Sequence, residues 1–246
     1  MNKMNILPLK AFADNYIWLI INQEKETFTC VDPGDANPVL AYAQSNQLEL
    51  HAILLTHHHA DHTGGVVELQ KRFPHALIYG VDYINSSPIK IASYEFQVIE
   101  TPGHTKTHRC YYEPDQHLLF CGDTLFSAGC GRVFDGTLEA LYNSLNLLAD
   151  LPNETKVYCA HEYTRHNLAF AASIEPDNLA IQEAILKLDL HPEACSLPST
   201  IGKEKQINPF LHTHNSLLKS FATSRQLNPH DAFALFKQLR EEKNQF

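Results

Sequence analysis

The stretch Thr56-His57-His58-His59-Ala60-Asp61-His62 constrains this chain more than any other part of it. Inside it sits H-x-H-x-D-H, formed by His57, His59, Asp61 and His62. Neutral imidazole and carboxylate are ligands for zinc, iron or manganese. Four such groups on one short loop do not easily all reach one ion. The economical reading is two ions side by side, with His57 and His59 on one and Asp61 and His62 on the other. The flanks place the loop. Residues 51–56 are a short apolar run with β-branched members, which reads as a buried strand. Gly64 and Gly65 follow, then a helically spaced run over 66–73. The ligands therefore lie on a strand-to-helix turn at a strand's carboxyl end, where open α/β sheets place their ligands.

A dinuclear site needs more ligands, and further strand ends supply them. Residues 94–100 read as a strand and run into Thr101-Pro102-Gly103-His104. Residues 117–122 read as a buried strand that ends at Asp123, a carboxylate able to bridge two cations. A strand over 156–160 ends at His161. His57, His59 and His104 can then form one site, and Asp61, His62 and His161 the other, with Asp123 shared. Any of His104, Asp123 or His161 taken alone is more simply a turn or surface residue. The weight lies in one candidate at the end of each of four strands. On alternation His58 points away from this group, and His108 has no assignment.

Further strands are expected over 15–22, 27–32, 76–80 and 109–113, and helices over 36–46 and 137–150. After residue 165 the pattern is helical. Helices are expected over 164–174, from Pro176 as a first-turn proline, near 213–226 and near 229–243, with a long loop over 191–212. Strand counting gives an α/β or α+β fold. It divides into a metal-bearing catalytic domain, 1–165, and a smaller helical substrate-binding domain, 166–246. The net charge of −9 argues against nucleic acid as a partner. No apolar run approaches the ~20 residues of a membrane span. The first residues lead straight into a strand with no signal-peptide core. The six cysteines contain no C-x-x-C pair. Cys30, Cys121 and Cys159 lie in apolar runs, so a reducing, cytoplasmic compartment without disulfides is expected.

The order of the H-x-H-x-D-H loop, the strand-end histidine, the Gly-Asp and the final histidine resembles the metallo-β-lactamase superfamily. Closer motifs are Asp14-Asn15-Tyr16-Ile17-Trp18, Val31-Asp32-Pro33-Gly34-Asp35, Gly122-Asp123-Thr124-Leu125-Phe126, Cys130-Gly131-Arg132 and His161-Glu162-Tyr163-Thr164. With the ending from Arg240 to Phe246, they resemble the glyoxalase II (hydroxyacylglutathione hydrolase) family across nearly the whole chain. The resemblance implies a four-layer αββα sandwich with the helical domain over its mouth. It implies hydrolysis of S-(2-hydroxyacyl)glutathione, mainly S-D-lactoylglutathione, to glutathione and D-lactate in methylglyoxal detoxification. It also implies substrate contacts at Arg132, Phe134 and Tyr163, and at Arg240 and Lys243 for the glycine carboxylate. Arg240 and Lys243 share a helix face. Without the resemblance they read as cations favourable at a helix carboxyl end. Phe134 departs from the family pattern, where many members carry a tyrosine that helps bind glutathione.

The expected cofactor is two divalent ions, zinc first, with iron or manganese as alternatives. A water shared by two such ions loses a proton near neutral pH, and Asp61 can aim the resulting hydroxide at the thioester carbonyl. Asp61 and Asp123 are thus the expected catalytic carboxylates. The leaving thiolate, with a thiol pKa near ~8.5, needs no strong general acid. Three alternatives remain: another hydrolase of the same fold, a glutathione persulfide dioxygenase with a single iron, and a non-catalytic metal-binding protein. The default assembly is a monomer.

Overall fold

The computed structural model describes residues 4–246; the amino-terminal reading at residues 1–3 lies outside the described residues. The chain runs β1 (Asn5–Ala11), β2 (Asn15–Asn22), β3 (Thr27–Val31), α1 (Ala36–Asn46), β4 (Glu49–Leu54), α2 (Ala60–Thr63), α3 (Val66–Arg72) and β5 (Leu77–Tyr79). These five strands form one sheet in the order β1-β2-β3-β4-β5. There follow β6 (Ile89–Ile91), β7 (Tyr94–Glu100), β8 (Arg109–Glu113), β9 (Leu118–Gly122), a small hairpin of β10 (Leu125–Phe126) and β11 (Gly129–Cys130), α4 (Leu138–Ala149) and β12 (Lys156–Cys159). The rest is α5 (Thr164–Ile174), α6 (Leu179–Leu190), β13 (Ser199–Thr200), α7 (Ile201–Ile207), α8 (Lys219–Ser224) and α9 (Ala232–Gln245). The second sheet has the order β13-β12-β9-β8-β7-β6.

Strand β2 shows why the two sheets must be covered on both sides. It is apolar at nearly every position, and successive side chains leave on opposite faces. Tyr16, Trp18 and Ile20 enter the core between the sheets, beside Val31, Ala52 and Leu54. Ile17, Leu19 and Ile21 enter a separate core with Val39 and Ala43 of α1 and Val66 and Leu69 of α3. Across the sandwich, Trp18 meets Tyr158 edge to face at 4.9 Å, and Tyr158 stacks on Phe120 at 5.0 Å. The alternate residues Leu119, Cys121, Val157 and Cys159 are also buried and share a core with Leu141, Leu145 and Leu148, one stripe of α4. The result is helix, sheet, sheet, helix.

The carboxyl-terminal region is mainly helical, as expected, and several of its residues pack into the main core. Phe170, Phe210, Leu235, Phe236 and Leu239 belong to the main core, while Leu168, Ala171, Ile181 and Ile207 form a small core around Ala128. The stretch expected as a loop over 191–212 holds β13 and α7. Thr200 starts α7 by accepting from the Lys203 backbone N–H, and β13 pairs antiparallel with β12. Helix α6 begins at Leu179, not at Pro176, because Asn178 caps it by accepting from the Ala180 N–H. The helix expected near 213–226 is shortened to α8 after a 3-10 turn. Pro8 fits β1 because that strand is the sheet edge, where a missing N–H costs no ladder bond. Among the described residues no helix is long and apolar enough to cross a membrane.

Candidate metal centre and substrate cavity

The carboxyl ends of β4, β7, β9 and β12 meet at one end of the sandwich and bring all seven predicted ligands together. The ring nitrogens His57 Nε2 and His59 Nδ1 lie 3.0 Å apart, and His104 Nε2 lies 3.1 Å from the same His59 nitrogen. Asp61 Oδ2 lies 3.3 Å from His62 Nε2 and 3.4 Å from His161 Nε2. Asp123 Oδ1 lies 3.5 Å from each of those two nitrogens, while its other oxygen lies 3.6 Å from His104 Nε2. Ligands 2.0–2.1 Å from a tetrahedral ion are roughly 3.3 Å from one another. Both sets have that spacing, and Asp123 turns one oxygen to each.

Two atoms argue for cations here independently of spacing. His62 Nε2 and Asp123 Oδ1 are buried and have no hydrogen-bond partner among the described residues. Buried polar groups are normally satisfied, and an ion between them would satisfy both. The titration behaviour agrees. Burial works against charging His62, yet Asp123 and Asp32 outweigh it and hold the ring well above its ordinary value. Burial likewise opposes His161, but Asp123, Asp61 and Asp14 push it up to about 10. Asp61 is held far below the carboxylate range, first by the His161 ring and then by the His62 ring beside it. Metal uptake at this set therefore displaces protons. His57 and His104 are lowered, first by burial, so their rings are neutral and ready to ligate.

The orientation of each ring follows from a partner on its far nitrogen. His104 Nδ1 donates to the Arg132 carbonyl at 2.8 Å, which leaves Nε2 with its lone pair. His161 Nδ1 donates to Asp14 at 2.8 Å, with the same consequence. Asp32 serves both sets at once. It accepts from His62 Nδ1 at 3.1 Å and from the Thr56 hydroxyl at 2.7 Å, and that hydroxyl in turn faces His57 Nδ1 at 3.0 Å. Asp32 holds this position with φ of +52°, a left-handed conformation that costs a non-glycine residue about 1 kcal/mol or more. Beside it Gly34 passes so close to the metal loop that a Cβ there would lie 1.9 Å from the Asp61 carbonyl oxygen.

His108 plays a part that its sequence position did not reveal. It is fully buried, accepts from the Asp123 backbone N–H at 3.1 Å and stacks 4.9 Å from His57. Burial pushes its pKa well below the ordinary value. A neutral ring is what that accepted hydrogen bond requires. His58 is exposed and takes no part. Cys121 and Cys159 point into the core, and all six cysteines are free thiols.

Above the ligands lies a cavity of about 450 Å³ whose lining includes Arg132, Phe134, Tyr163, Arg240 and Lys243. All five predicted substrate contacts therefore share one space with the ligands. Tyr163 stacks on His161 at 4.6 Å, and Phe134, 65 % exposed, meets His59 edge to face at 4.9 Å. Arg240 and Lys243 are buried on α9. Arg240 donates to the Cys130 carbonyl at 2.8 Å and Lys243 to the His166 carbonyl at 3.2 Å. Neither has an ion-pair partner among the described residues. Burial, then the charge of Arg240, pushes the Lys243 ammonium down to about 8. Two buried cations without a carboxylate partner have the chemistry to take up an anion.

Facing sheets with outer helices and a paired histidine-carboxylate set at their strand ends define the metallo-β-lactamase superfamily, whose family model matches residues 15–91 and 93–161. A second model, described as hydroxyacylglutathione hydrolase C-terminus, matches residues 162–246. A hydroxyacylglutathione hydrolase of Legionella pneumophila (strain Paris) is 51 % identical over 253 residues, which is 99 % of this chain and all of the relative. The chain belongs to the hydroxyacylglutathione hydrolase family. The structure of ETHE1 from Myxococcus xanthus shares the fold, with a TM-score of 0.64 at 23 % identity, covering 97 % of this chain and 98 % of that one. TTHA1623, solved in a di-iron-bound form, has a TM-score of 0.59 at 26 % identity, over 83 % of this chain and all of that one. The donor set and the family together make this a divalent-metal site.

Proposed function

We propose that the chain hydrolyses the thioester of S-(2-hydroxyacyl)glutathione, mainly S-D-lactoylglutathione, to glutathione and D-lactate. The observation that carries this reading is the joining of two complete ligand sets through Asp123 beneath a cavity that ends in two unpaired buried cations. His57, His59, His104 and Asp123 would hold one ion, and Asp61, His62, His161 and Asp123 the other. Zinc is the first assignment; the di-iron form of TTHA1623 keeps iron beside it. Bound there, two dications supply a Lewis acid for the carbonyl and lower the pKa of a shared water to about 7.

The chain's own groups do the rest. Asp61 stays ionised, accepts a hydrogen bond from the attacking water and aims it at the carbonyl carbon. Asn15 steadies that carboxylate by donating to its Oδ2 at 3.2 Å. Arg240 and Lys243 take the glycine carboxylate, Arg132 and Tyr163 flank the peptide arm, and the C–S bond breaks to release a thiolate. Water adds across the thioester, so no further reactant is needed. A complete second ligand set favours hydrolysis over a single-iron dioxygenase. One chain supplies every site residue, which suits a monomer, and the free thiols suit a reducing cytoplasm.

The test is turnover of S-D-lactoylglutathione by metal-replete protein and by the same protein stripped with chelator. Rapid hydrolysis that is lost on stripping and restored by zinc supports the reading. An intact thioester in the metal-replete sample overturns it. Two further outcomes follow. Phe134→Tyr is expected to lower KM roughly 2- to 10-fold by adding one hydrogen bond to glutathione; an unchanged or higher KM refutes the contact. An anion selects charged Lys243, so kcat/KM should fall as pH rises through about 8. The drop should be roughly tenfold over the next unit. That limb should vanish in Lys243→Met, and its persistence there would assign it to another group.

A further inference from the structure

Residues 125–132 carry three parts of the site on one short piece of backbone. Phe126 forms a wall, with its ring 5.9 Å from His161 and 5.2 Å from Tyr163. The Cys130 carbonyl anchors Arg240, and the Arg132 carbonyl orients His104. Yet β10 and β11 pair over only two residues each. The turn between them holds Ala128 with φ of +56°, in the left-handed region that favours glycine. Such a hairpin does not keep its shape unaided.

What holds it comes from the carboxyl-terminal region. Asn208 donates to the Gly129 carbonyl at 3.0 Å and to the Phe126 carbonyl at 3.3 Å. Glu204 accepts from the Ala128 N–H at 2.7 Å and from Asn208 Nδ2 at 3.2 Å, and Ser199 donates to its other oxygen. Asn167 donates to the Ser127 carbonyl at 3.0 Å. Glu204 and Asn208 are both fully buried, and neither lines the cavity.

We propose that Asn208 and Glu204 are positioning residues for the thioester site, acting through the 125–132 hairpin on Arg240 and on the ligand His104. This rests on the reading of the site given above. It gives the carboxyl-terminal region a second task. Besides holding the anion, it sets one metal ligand and the anion receptor to a common height through a single buried clamp. Among the described residues Glu204 has no ion-pair partner; burial raises its carboxyl and hydrogen bonds from Ser199, the hairpin and Asn208 work against that rise, so its energy is tied to that geometry.

The test compares Asn208→Ala with Asn178→Ala in the full, zinc-loaded chain. Asn178 is a polar residue of the same region that bonds Glu175 and the Gln206 carbonyl and does not touch the hairpin. At a temperature well below both melting points, Asn208→Ala should raise KM for S-D-lactoylglutathione roughly tenfold. It should also make one class of zinc release to a chelator at roughly tenfold lower chelator concentration, the second class being unmoved. Asn178→Ala should change neither. Equal KM and equal zinc release in the two variants overturn the proposal. Should Asn208→Ala not fold, Glu204→Gln, which keeps the volume, must show the same two shifts in smaller degree, and their absence overturns it equally. If the unsubstituted protein leaves the thioester intact, the functional reading fails, and the zinc-release comparison alone decides the clamp.

Discussion

Asp123→Asn is expected to lower turnover of S-D-lactoylglutathione roughly a thousandfold, and to leave the chain with no more than about one tightly held metal ion. The carboxylate is 7 % exposed and presents one oxygen to His62 and His161 and the other to His104. An asparagine of the same shape keeps one oxygen and turns an amide nitrogen, which does not ligate, to the other set. It also removes the negative charge that makes two adjacent dications tolerable. The backbone should not move, because the hydrogen bond from the Asp123 N–H to His108 is untouched. Metal analysis and the melting temperature separate the outcomes. Loss of metal with an intact fold is the expected result. Two ions per chain with less than about a tenfold loss of turnover would remove Asp123 from its shared place.

The same site shows which parts of a fold a sequence exposes. The grouping of the seven candidate ligands was legible because each follows an apolar strand, and strand ends in such sheets converge by construction. Asp32 stood in the sequence as one of several carboxylates that could orient the imidazoles, with nothing local to single it out. Its role depends on the parallel pairing of β3 with β4, which sets it beside Thr56 24 residues later in the chain. Asp14 depends on the bridge between Asn15 and His161, which no local pattern predicts. His108 looked like any lone histidine, since its meaning is the backbone N–H it accepts from. Strands of two or three residues, such as β6, β10 and β11, carry no periodicity to read. The clamp on the hairpin was hidden for the same reason, with its carbonyl acceptors on the two-residue strands β10 and β11 and their donor, Asn208, about 80 residues away.

The basic pair on α9 is the case in which local physics and tertiary structure point in opposite directions. Cations in a last helical turn are usually solvated and favoured by the helix dipole. Here α9 buries both, with Arg240 over the Phe210 ring at 5.2 Å and Lys243 5.0 Å from the Phe246 ring. A buried cation without a counter-charge is unfavourable for folding, so a bound carboxylate should recover much of that cost.

Arg240→Met is therefore expected to raise KM for the glutathione thioester roughly 100-fold, about 3 kcal/mol, while kcat changes little. The methionine keeps apolar volume against Phe210 but loses the paired donors. Arg240→Lys should lie between, because it keeps the charge without the planar fork. A D-lactoyl thioester of a short thiol that lacks carboxylates separates recognition from damage. It has nothing for Arg240 to hold, so the variant should turn it over as the unsubstituted protein does. Equal losses on both substrates would mean that Arg240 acts mainly through the Cys130 carbonyl and the hairpin. A selective loss on the glutathione thioester places the anion at α9, where the helix offers two buried charges that nothing else in the described chain neutralises.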